Sequence, residues 1–445
     1  MPLLPGRIIR LLVSSLRWLL GYDGVGLLAR PTFRYELLSN TFAAFAGGLL
    51  MSEFMQLFAL KSLSSPSWLM AILVAEMGVG NLFGALLAQH LQRRRRIPWM
   101  VKARLGSAAT LGAIALLPAS PWSLGPLVGI LLAAAVLAAV ILNVQSSIWH
   151  SNYGEAQRGK IYARISVVRL ATMILAVKLS GYALDSYPTL AHHAIFAVGA
   201  AAMVVSAMLY SRIRVRREKA LLREAHAQPI RLWGSLHVLR DDKAYAHYML
   251  WQMVSGGALL MTAPVVVPAL QGSFGLSYSS GTTVLVMVPF LLQLVLVPLA
   301  GHLFDKVSIS TYRFINATLW ATSRFLLYMA VLLVCWPLLI VAYMIQGAAQ
   351  ASGDVVWNIG HTRFAPPGQG QLYMGVHMTL QGVRGLTLPF VGMLLYHIPH
   401  VGVHVLAVTV ALQLLAGFEF LRIKPPTMHQ AGRSTALPVD VATIE

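Results

Sequence analysis

Polar residues recur at helical spacing within two long apolar stretches of this chain. The first stretch carries four of them at intervals of four residues: Gln346, Gln350, Asp354 and Asn358. The second carries three within an arc of about 60° on a helix: His377, Gln381 and Arg384. Such stripes are typical of the lining of a wet cavity that binds a polar solute. A structural hydrogen-bond network is the alternative.

Asp354 and His377 could form a protonatable pair in this lining. A histidine titrates near neutral pH, and a buried carboxyl group can retain its proton. Both residues also lie towards the same end of their predicted helices. We therefore expect proton exchange at these two residues and solute contacts at the other polar positions: Gln346, Gln350, Gln381 and Arg384.

Charged residues within apolar stretches form a second set of candidates: Glu53, Glu76, Arg169, Lys178 and Arg324. Each costs roughly 2.5–3.5 kcal/mol near the centre of a membrane helix, so each needs a partner or a wet cavity. Glu53 and Lys178 are predicted at similar depth, as an ion pair that fixes packing or as a proton or substrate site. Arg169 points about 180° away from Lys178 on a helix, and we prefer it as the cavity residue. Arg324 is expected to be structural.

The elements that must position these residues follow from composition. Hydrophobic residues make up 57% of the 445 residues and charged residues 11%, and the mean hydropathy is +0.68. No ordinary soluble domain has this composition, so we predict an all-α membrane protein that crosses the bilayer many times. The net charge of +19 arises from short basic blocks between apolar runs. This pattern is typical of topology signals rather than of a nucleic-acid-binding surface.

Sequence motifs for ATP binding or hydrolysis are absent, because no GxxxxGK(S/T), HExxH or GxSxG sequence occurs. We therefore expect neither an enzyme nor an ATP-driven pump, and no cofactor. The single cysteine, Cys335, excludes an internal disulfide and a cysteine-built metal site. No metal site is expected.

Twelve apolar runs are long enough to cross about 30 Å of hydrocarbon as helices. They cover residues 35–60, 67–91, 99–117, 123–150, 161–184, 193–211, 247–270, 282–304, 312–334, 337–360, 373–396 and 400–422. With the amino terminus in the cytoplasm, most of the 34 Lys and Arg residues fall in cytoplasmic segments. The external loops hold only Lys61. This bias predicts an even number of spans and both termini in the cytoplasm.

An internal repeat divides the twelve runs into two sets of six. Sliding the chain by 211 residues matches identical residues without a gap, including Gly181 with Gly392. The predicted organisation has five segments: an interfacial amphipathic segment (1–30), a six-helix half (31–211), a basic cytoplasmic linker (212–243), a second six-helix half (244–424) and a disordered tail (425–445).

On these features the sequence resembles the Major Facilitator Superfamily. The family's signature, Gly-x-x-x-Asp-(Arg/Lys)-x-Gly-(Arg/Lys)-(Arg/Lys), follows helices 2 and 8. The second copy in this chain keeps Gly301, Asp305 and Lys306. In the first copy Gln89 stands in place of the aspartate, while the basic run beginning at Arg93 is kept. The resemblance implies that these positions latch one conformation across the cytoplasmic face, where Asp305 could still serve.

The resemblance also implies two six-helix halves that expose a central site alternately to the two sides of the membrane. In this family helices 2 and 11 meet where the halves touch. Glu76 and Arg384 are therefore predicted to form an ion pair that breaks during the motion. The resemblance does not name a solute, because this fold hosts many.

Together these observations predict a secondary transporter of a small solute, coupled to protons, with a weak preference for an anionic or zwitterionic solute. Its expected partners are the lipid bilayer, the solute and protons, with no nucleic acid and with a monomer as the default state. The expected location is a bacterial inner membrane. Two alternatives stay open: export of lipophilic compounds, and a non-transporting scaffold or receptor that docks through its amphipathic start and basic linker.

Overall fold

The computed structural model describes residues 21–22, 25–227, 236–366 and 370–423. Within these ranges the regular secondary structure is helical. The chain before residue 21 and after residue 423 lies outside the described residues. The predictions of an interfacial segment at 1–30 and a disordered tail at 425–445 therefore rest on the sequence.

The amino-terminal half, residues 25–216, is a bundle of helices. They are α1 (Arg30–Leu49), α2 (Ser52–Ser62), α3 (Leu69–Gln92), α4 (Arg96–Leu116), α5 (Leu124–Asn152), α6 (Glu155–Ser186) and α7 (Pro188–Tyr210). Two short helices follow in the linker: α8 (Glu218–Ala227) and α9 (Val238–Asp241). We call the end of the bundle that the linker joins the linker end, and the opposite end the far end.

The carboxy-terminal half, residues 243–423, is a second bundle. Its helices are α10 (Lys243–Phe274), α11 (Tyr278–Thr282), α12 (Val288–Lys306), α13 (Ile309–Leu333), α14 (Trp336–Ile359), α15 (Gly370–His397) and α16 (Val405–Leu421). A π-helical turn over Thr283–Met287 joins α11 to α12, so that the two form one continuous span. Asp242 starts α10, because its carboxylate accepts a hydrogen bond from the backbone N–H of Tyr245 at 2.8 Å.

Each of the twelve predicted runs overlaps a helix or a helix pair of the structure. Among the described residues, eight helices are long and apolar enough to cross a membrane, or nine if α1 and α2 count as one bent span. The prediction of an all-α protein that crosses the membrane many times is confirmed. The first span differs from the prediction, because α1 and α2 meet at a bend of 42°.

The bend in the first span follows two adjacent glycines at the end of α1. Gly48 packs so closely on α6 that a β-carbon there would lie 3.2 Å from Val177 Cγ2. Met51 then takes an extended conformation before α2 begins. A glycine pair is poor at sustaining a helix, and helices kink at such sites.

The hydrophobic core differs between the two ends of the bundle. Towards the far end one cluster runs through both halves and includes Phe54, Leu57, Leu276 and Tyr278. At the linker end each half has clusters of its own, such as the one around Tyr210 and the one around Tyr248. The halves are therefore packed together at the far end and separate towards the linker end.

Helices α3 and α15 make a close contact between the halves. A β-carbon on Gly78 would lie 2.6 Å from the backbone of Gly385, so a glycine is needed on each side. The expectation that the second and eleventh spans meet between the halves holds in this structure. The contact is made by backbone rather than by the charged residues predicted for it.

Candidate functional site

A cavity of about 460 Å³ lies between the two halves and reaches the linker end. Its walls come from α1, α5 and α6 on one side and from the end of α14 on the other. The polar lining residues are Asn40, Gln145, Ser146, His150, Arg158, Ser166, Arg169 and Asn358. Apolar and aromatic residues complete the walls: Leu142, Trp149, Tyr162, Ile165 and Ile359.

Arg169 lines this cavity and is exposed in it. It forms no hydrogen bond or salt bridge among the described residues. Its charge interacts with Asp354 of the opposite half, and the Asp354 carboxylate accepts a hydrogen bond from the Gln293 amide. Arg158, by contrast, is fixed by hydrogen bonds to the carbonyls of Tyr153 and His150, at 3.0 and 3.1 Å.

The predicted stripe on α14 divides between the cavity and the protein interior. Asn358 lines the cavity, and its amide donates to the carbonyl of Asp354 at 2.8 Å. Gln346 is buried, and the side-chain oxygen of Gln350 is buried with no hydrogen-bond partner in the described residues. The stripe is therefore continuous along the helix, but only its linker end lines the cavity.

The predicted pair of Asp354 and His377 is not formed in this structure. His377 is buried, and its ring packs edge-on against Trp357 with the ring centres 4.1 Å apart. Trp357 follows Asp354 by about one helical turn, so His377 contacts the same helix through Trp357 rather than through Asp354. Asp354 instead accepts from Gln293.

The predicted ion pair of Glu76 and Arg384 is also not formed. Arg384 is buried, and its guanidinium donates to the carbonyl of Gln252. The guanidinium lies against Gly256, where a β-carbon would collide with it. Glu76 borders a small void against α5. Two residues turn a helix by about 200°, so Glu76 cannot face α15 when Gly78 does. The neighbouring Gln381 has a buried side-chain oxygen without a partner among the described residues.

Glu53 and Lys178 do not pair with each other either. The Lys178 ammonium donates to the carbonyl of Ser279 at 3.1 Å, and to the hydroxyls of Ser279 and Thr283 at 2.7 Å each. The charge of Glu53 interacts with that of Arg324, which is buried on α13. The hydrogen bonds of Lys178 thus link the amino-terminal half to the carboxy-terminal half.

The far end is closed by further hydrogen bonds between the halves. The Asp185 carboxylate, at the end of α6, accepts from the backbone N–H groups of Tyr278 and Ser279 at 2.8 and 2.6 Å. The Lys61 ammonium donates to the carbonyl of Leu276 at 2.7 Å. Two other contacts join Ser62 to Tyr278 and Ser67 to His397. Every hydrogen bond between the halves in the described residues lies at this end or next to it.

The signature residues lie at the linker end. Arg93, Asp305 and Lys306 are exposed, and none of them forms a salt bridge within the described part of the chain. Gln89 lies in the last turns of α3, and its side chain is outside the described set. The latch that the resemblance implies is therefore not closed in this structure.

A buried polar cluster centred on Glu36 is not predicted from the sequence. The Glu36 carboxylate accepts from the hydroxyls of Tyr153 and Tyr210, at 2.6 and 2.8 Å, and from the indole of Trp149. Its charge interacts with Arg104, which is fully buried and also contacts Ser39 and Ser206. Arg104 lies near the cytoplasmic start of the predicted third span, where a basic residue is expected to be a topology signal. The sequence feature that could have indicated this cluster is the presence of Tyr153 and Tyr210 near the ends of the predicted fourth and sixth spans.

A cavity open at one end, with a hydrogen-bonded closure at the other, can hold a small solute and release it to one side. Residues 36–317 match the family model described as Major Facilitator Superfamily. No curated protein is significantly similar to the chain in sequence.

Solved transporter structures share the fold at low sequence identity. A variant of the nucleoside transporter NupG superposes with a TM-score of 0.71 at 13% identity, over 89% of this chain and 99% of that one. The xylose transporter XylE from E. coli, in a partially occluded inward-open conformation, gives 0.66 at 14% identity, over 90% and 99%. A bacterial homologue of human peptide transporters gives 0.62 at 11% identity, over 89% and 97%. The chain therefore belongs to the Major Facilitator Superfamily, and it is a membrane transporter rather than an enzyme.

Proposed function

We propose that the protein is a secondary transporter that moves a small solute by alternating access. The observation that carries this proposal is the asymmetry between the ends: hydrogen bonds and a shared core join the halves at the far end, while a cavity separates them towards the linker end. Rocking the halves against each other would open the far end and close the linker end. The structure then corresponds to one of the two end states.

The orientation follows from the sequence together with this geometry. Twelve spans in two pseudo-repeats of six, with both termini in the cytoplasm, would place the linker end in the cytoplasm. The state described here is then open to the inside. Topology signals alone support this orientation, and a bacterial inner membrane is the setting we propose.

The cavity favours a small organic solute that carries a negative charge. Its volume of about 460 Å³ is in the usual range for small-molecule sites. Two arginines line it, Arg158 and Arg169, and no carboxylate is among the lining side chains that the structure describes. Trp149 and Tyr162 lie edge to face, with ring centres 5.5 Å apart, and offer an apolar surface for the rest of the solute.

Proton coupling follows from competition for Arg169. When Asp354 is ionised, its charge attracts Arg169 from across the two halves. When Asp354 takes up a proton, Arg169 is left free to bind the anionic group of the solute. Proton and solute would then bind together, which is the requirement for symport. The predicted roles of Glu53 and His377 in proton exchange have less support, because neither lines the cavity.

The solute can be found by thermal stability of the purified protein in detergent. A ligand that binds the folded state raises the midpoint temperature by mass action. A panel of organic anions, amino acids, sugars, nucleosides and amphiphilic drugs separates the candidates. We expect the largest shift with an aromatic or branched organic anion.

Uptake of that solute into proteoliposomes tests the mechanism. An imposed pH gradient should drive accumulation by the wild type. Arg169→Gln should weaken binding by about 10- to 100-fold, since a charge-assisted contact is lost. Asp354→Asn should abolish the response to the gradient and keep solute exchange. Arg422→Gln removes an exposed arginine outside the cavity and is the matched control.

Uptake that is equal with and without the gradient would exclude proton coupling. If Arg169→Gln binds normally and amphiphilic drugs give the largest shifts, export of lipophilic compounds is the better account. If no solute moves at all, and loss of the basic linker abolishes the cellular phenotype, a scaffold role is the better account.

A further inference from the structure

Two aromatic rings in the cavity wall meet at a corner. Trp149 of α5 and Tyr162 of α6 both line the cavity, with their ring centres 5.5 Å apart and their planes at 76°. Tyr162 is exposed and Trp149 is half-buried, so both rings can be reached from the cavity. Aromatic rings prefer edge-to-face and offset-stacked contacts, and a flat ring placed in this corner makes such a contact with each wall.

The orientation of the Trp149 ring is set from behind the wall. Its indole N–H donates to the Oε1 atom of Glu36. The ring of Tyr153 also packs edge-on against it, with the ring centres 6.4 Å apart. An indole without a fixed acceptor can turn about its bond to the β-carbon, whereas a hydrogen bond selects one orientation. Glu36 and Tyr153 therefore fix the plane that Trp149 presents to the cavity.

The Glu36 carboxylate is itself held in place through both of its oxygen atoms. Tyr153 donates to Oε2 at 2.6 Å, and Tyr210 donates to Oε1 at 2.8 Å. The guanidinium of Arg104 lies over the ring of Tyr210, at 4.5 Å from the ring centre. The carboxylate is thus anchored from the side away from the cavity, and it cannot follow the indole if the indole turns.

Stability alone does not account for a carboxylate at this position. Glu36 is fully buried, and apolar residues of similar volume often stabilise a core as well as buried charges do. A carboxylate adds fixed acceptors that determine the orientation of each donor. Of its three donors, Tyr153 and Tyr210 are buried, whereas Trp149 lines the cavity. The orientation that matters for a bound solute is that of Trp149.

Arg169 lies on the same face of α6 as this corner. Tyr162 and Arg169 are seven residues apart, which turns a helix by about 700° and advances it by about 10 Å. Both side chains line the cavity. Helical side chains lean towards the N-terminus of their helix, so Arg169 leans towards Tyr162. A carboxylate held by Arg169 would direct a ring attached to it towards the corner.

We propose that Glu36 is a positioning residue for the solute site: by holding the Trp149 ring, it makes the cavity prefer solutes whose acid group is attached to a flat ring. The solute class is then an aromatic carboxylate. This inference rests on the proposed function, since it assigns the cavity to an anion bound by Arg169. Glu36 is buried and acts on the solute through Trp149 alone.

Benzoate and cyclohexanecarboxylate measure this preference. They have the same carbon skeleton and the same charge, but only benzoate has a flat ring. The midpoint temperature of the purified full-length protein in detergent gives the half-saturating concentration of each. We call the ratio of the cyclohexanecarboxylate value to the benzoate value the ring preference. For the wild type we expect a ring preference of about fivefold.

Substitutions of the donor and the acceptor test whether Glu36 acts through Trp149. Trp149→Phe keeps a ring but removes the N–H group, and should lower the ring preference to about twofold or less. Glu36→Gln should lower it to a similar value, because an amide cannot accept from all three donors. The double variant should resemble Trp149→Phe, since two residues that act as a unit have non-additive effects.

Tyr210→Phe is the matched control. It removes a hydrogen bond to the same carboxylate oxygen, but Tyr210 is fully buried behind the wall. This variant should lower the midpoint temperature without ligand and keep the ring preference of the wild type. If Glu36→Gln does not fold, Glu36→Asp replaces it. Glu36→Asp keeps the charge near Arg104, but its shorter side chain withdraws from the indole and should also lower the ring preference.

Three results would overturn this inference. The first is a wild type that responds equally to the two acids, or to neither. The second is a Glu36 variant that leaves the ring preference unchanged, or lowers it equally with and without Trp149→Phe. The third is a loss of ring preference in Tyr210→Phe as large as that in Trp149→Phe, which would indicate a general loosening of the core.

Failure of this inference is distinguishable from failure of the proposed function. A solute without a flat ring that is taken up by proteoliposomes would overturn the ring preference and leave secondary transport intact. If no solute moves, the proposed function fails, whatever the ring preference in detergent.

Discussion

The far end and the linker end of the bundle are built on different principles. At the far end the halves share one hydrophobic cluster. Hydrogen bonds donated by Lys61 and Lys178 and accepted by Asp185 also cross between them. At the linker end each half is held together by its own cluster, and the cavity lies between them. The closed end thus combines a shared apolar cluster with a few polar contacts that water can replace, whereas each core at the open end lies within one half. The alternating access that we propose would break the contacts of the closed end and leave the cores of the open end intact.

The largest expected effect comes from locking the far end. The Asp185 carboxylate accepts a hydrogen bond from the backbone N–H of Ser279 at 2.6 Å, so these two residues lie close together. We replace both with cysteine in a Cys335→Ser background. Bridging them with a short bifunctional thiol reagent should abolish solute uptake, because the halves can no longer separate there. Either single variant treated with the same reagent is the control. Undiminished uptake after complete bridging would show that this end does not open.

The next largest effect is expected at the buried Glu36 cluster, which stabilises the amino-terminal half at the linker end. Glu36→Ala leaves the buried Arg104 without its carboxylate and should destabilise the protein by about 3–5 kcal/mol. Thermal or denaturant unfolding in detergent measures the loss. Glu36→Leu combined with Arg104→Met should recover most of it, since both charges are then removed. If the double variant is as unstable as Glu36→Ala, the charge interaction is not what stabilises this cluster.

A smaller effect is expected from one contact of the gate. Lys178→Met removes three hydrogen bonds at the far end. In the other state this ammonium would be hydrated, so the net shift towards far-end opening is about tenfold. The labelling rate of a cysteine placed at Ser62 reports the opening. Lys61→Met removes one hydrogen bond between the halves and should favour far-end opening less than Lys178→Met does. An equal or larger effect of Lys61→Met would contradict the expectation that the number of hydrogen bonds determines the shift.

The smallest effect is expected at the linker itself. Glu218 of α8 accepts a hydrogen bond from the backbone N–H of Arg96 at 2.9 Å, at the start of α4. Glu218→Gln should lower stability by about 0.5–1 kcal/mol and leave transport unchanged, because this contact stays within one side of the molecule. The midpoint temperature and uptake rate check both statements, with the neighbouring Lys219→Gln as control. A changed uptake rate would mean that the linker takes part in gating.

The sequence predicts the helices well because membrane spans need long apolar runs, and each run overlaps a helix or helix pair here. It does not predict the bend between α1 and α2, which depends on how closely Gly48 approaches α6. The family signature was also accessible from the sequence, and Arg169, which the sequence singles out within a span, lines the cavity described here.

The residues that the charged side chains contact could not be predicted from the sequence. Sequence spacing fixes how deep a residue lies in a span, and so Glu53 and Lys178 were placed at similar depth. Which neighbour each residue faces depends on the rotation and packing of helices. Glu36 is not predicted to be buried, because it lies at the edge of the first predicted run. An acidic residue at that place is expected to be exposed to solvent.

Distances between spin labels at each end of the bundle measure whether the two ends open alternately. With Cys335→Ser as background, one pair at Tyr187→Cys and Leu333→Cys reports the far end, and another at Lys160→Cys and His302→Cys reports the linker end. All four positions are exposed. On addition of the solute and protons, a second population should appear in which the far-end distance is longer and the linker-end distance is shorter. Distances that stay at one value at both ends, or that lengthen together, would contradict alternating access.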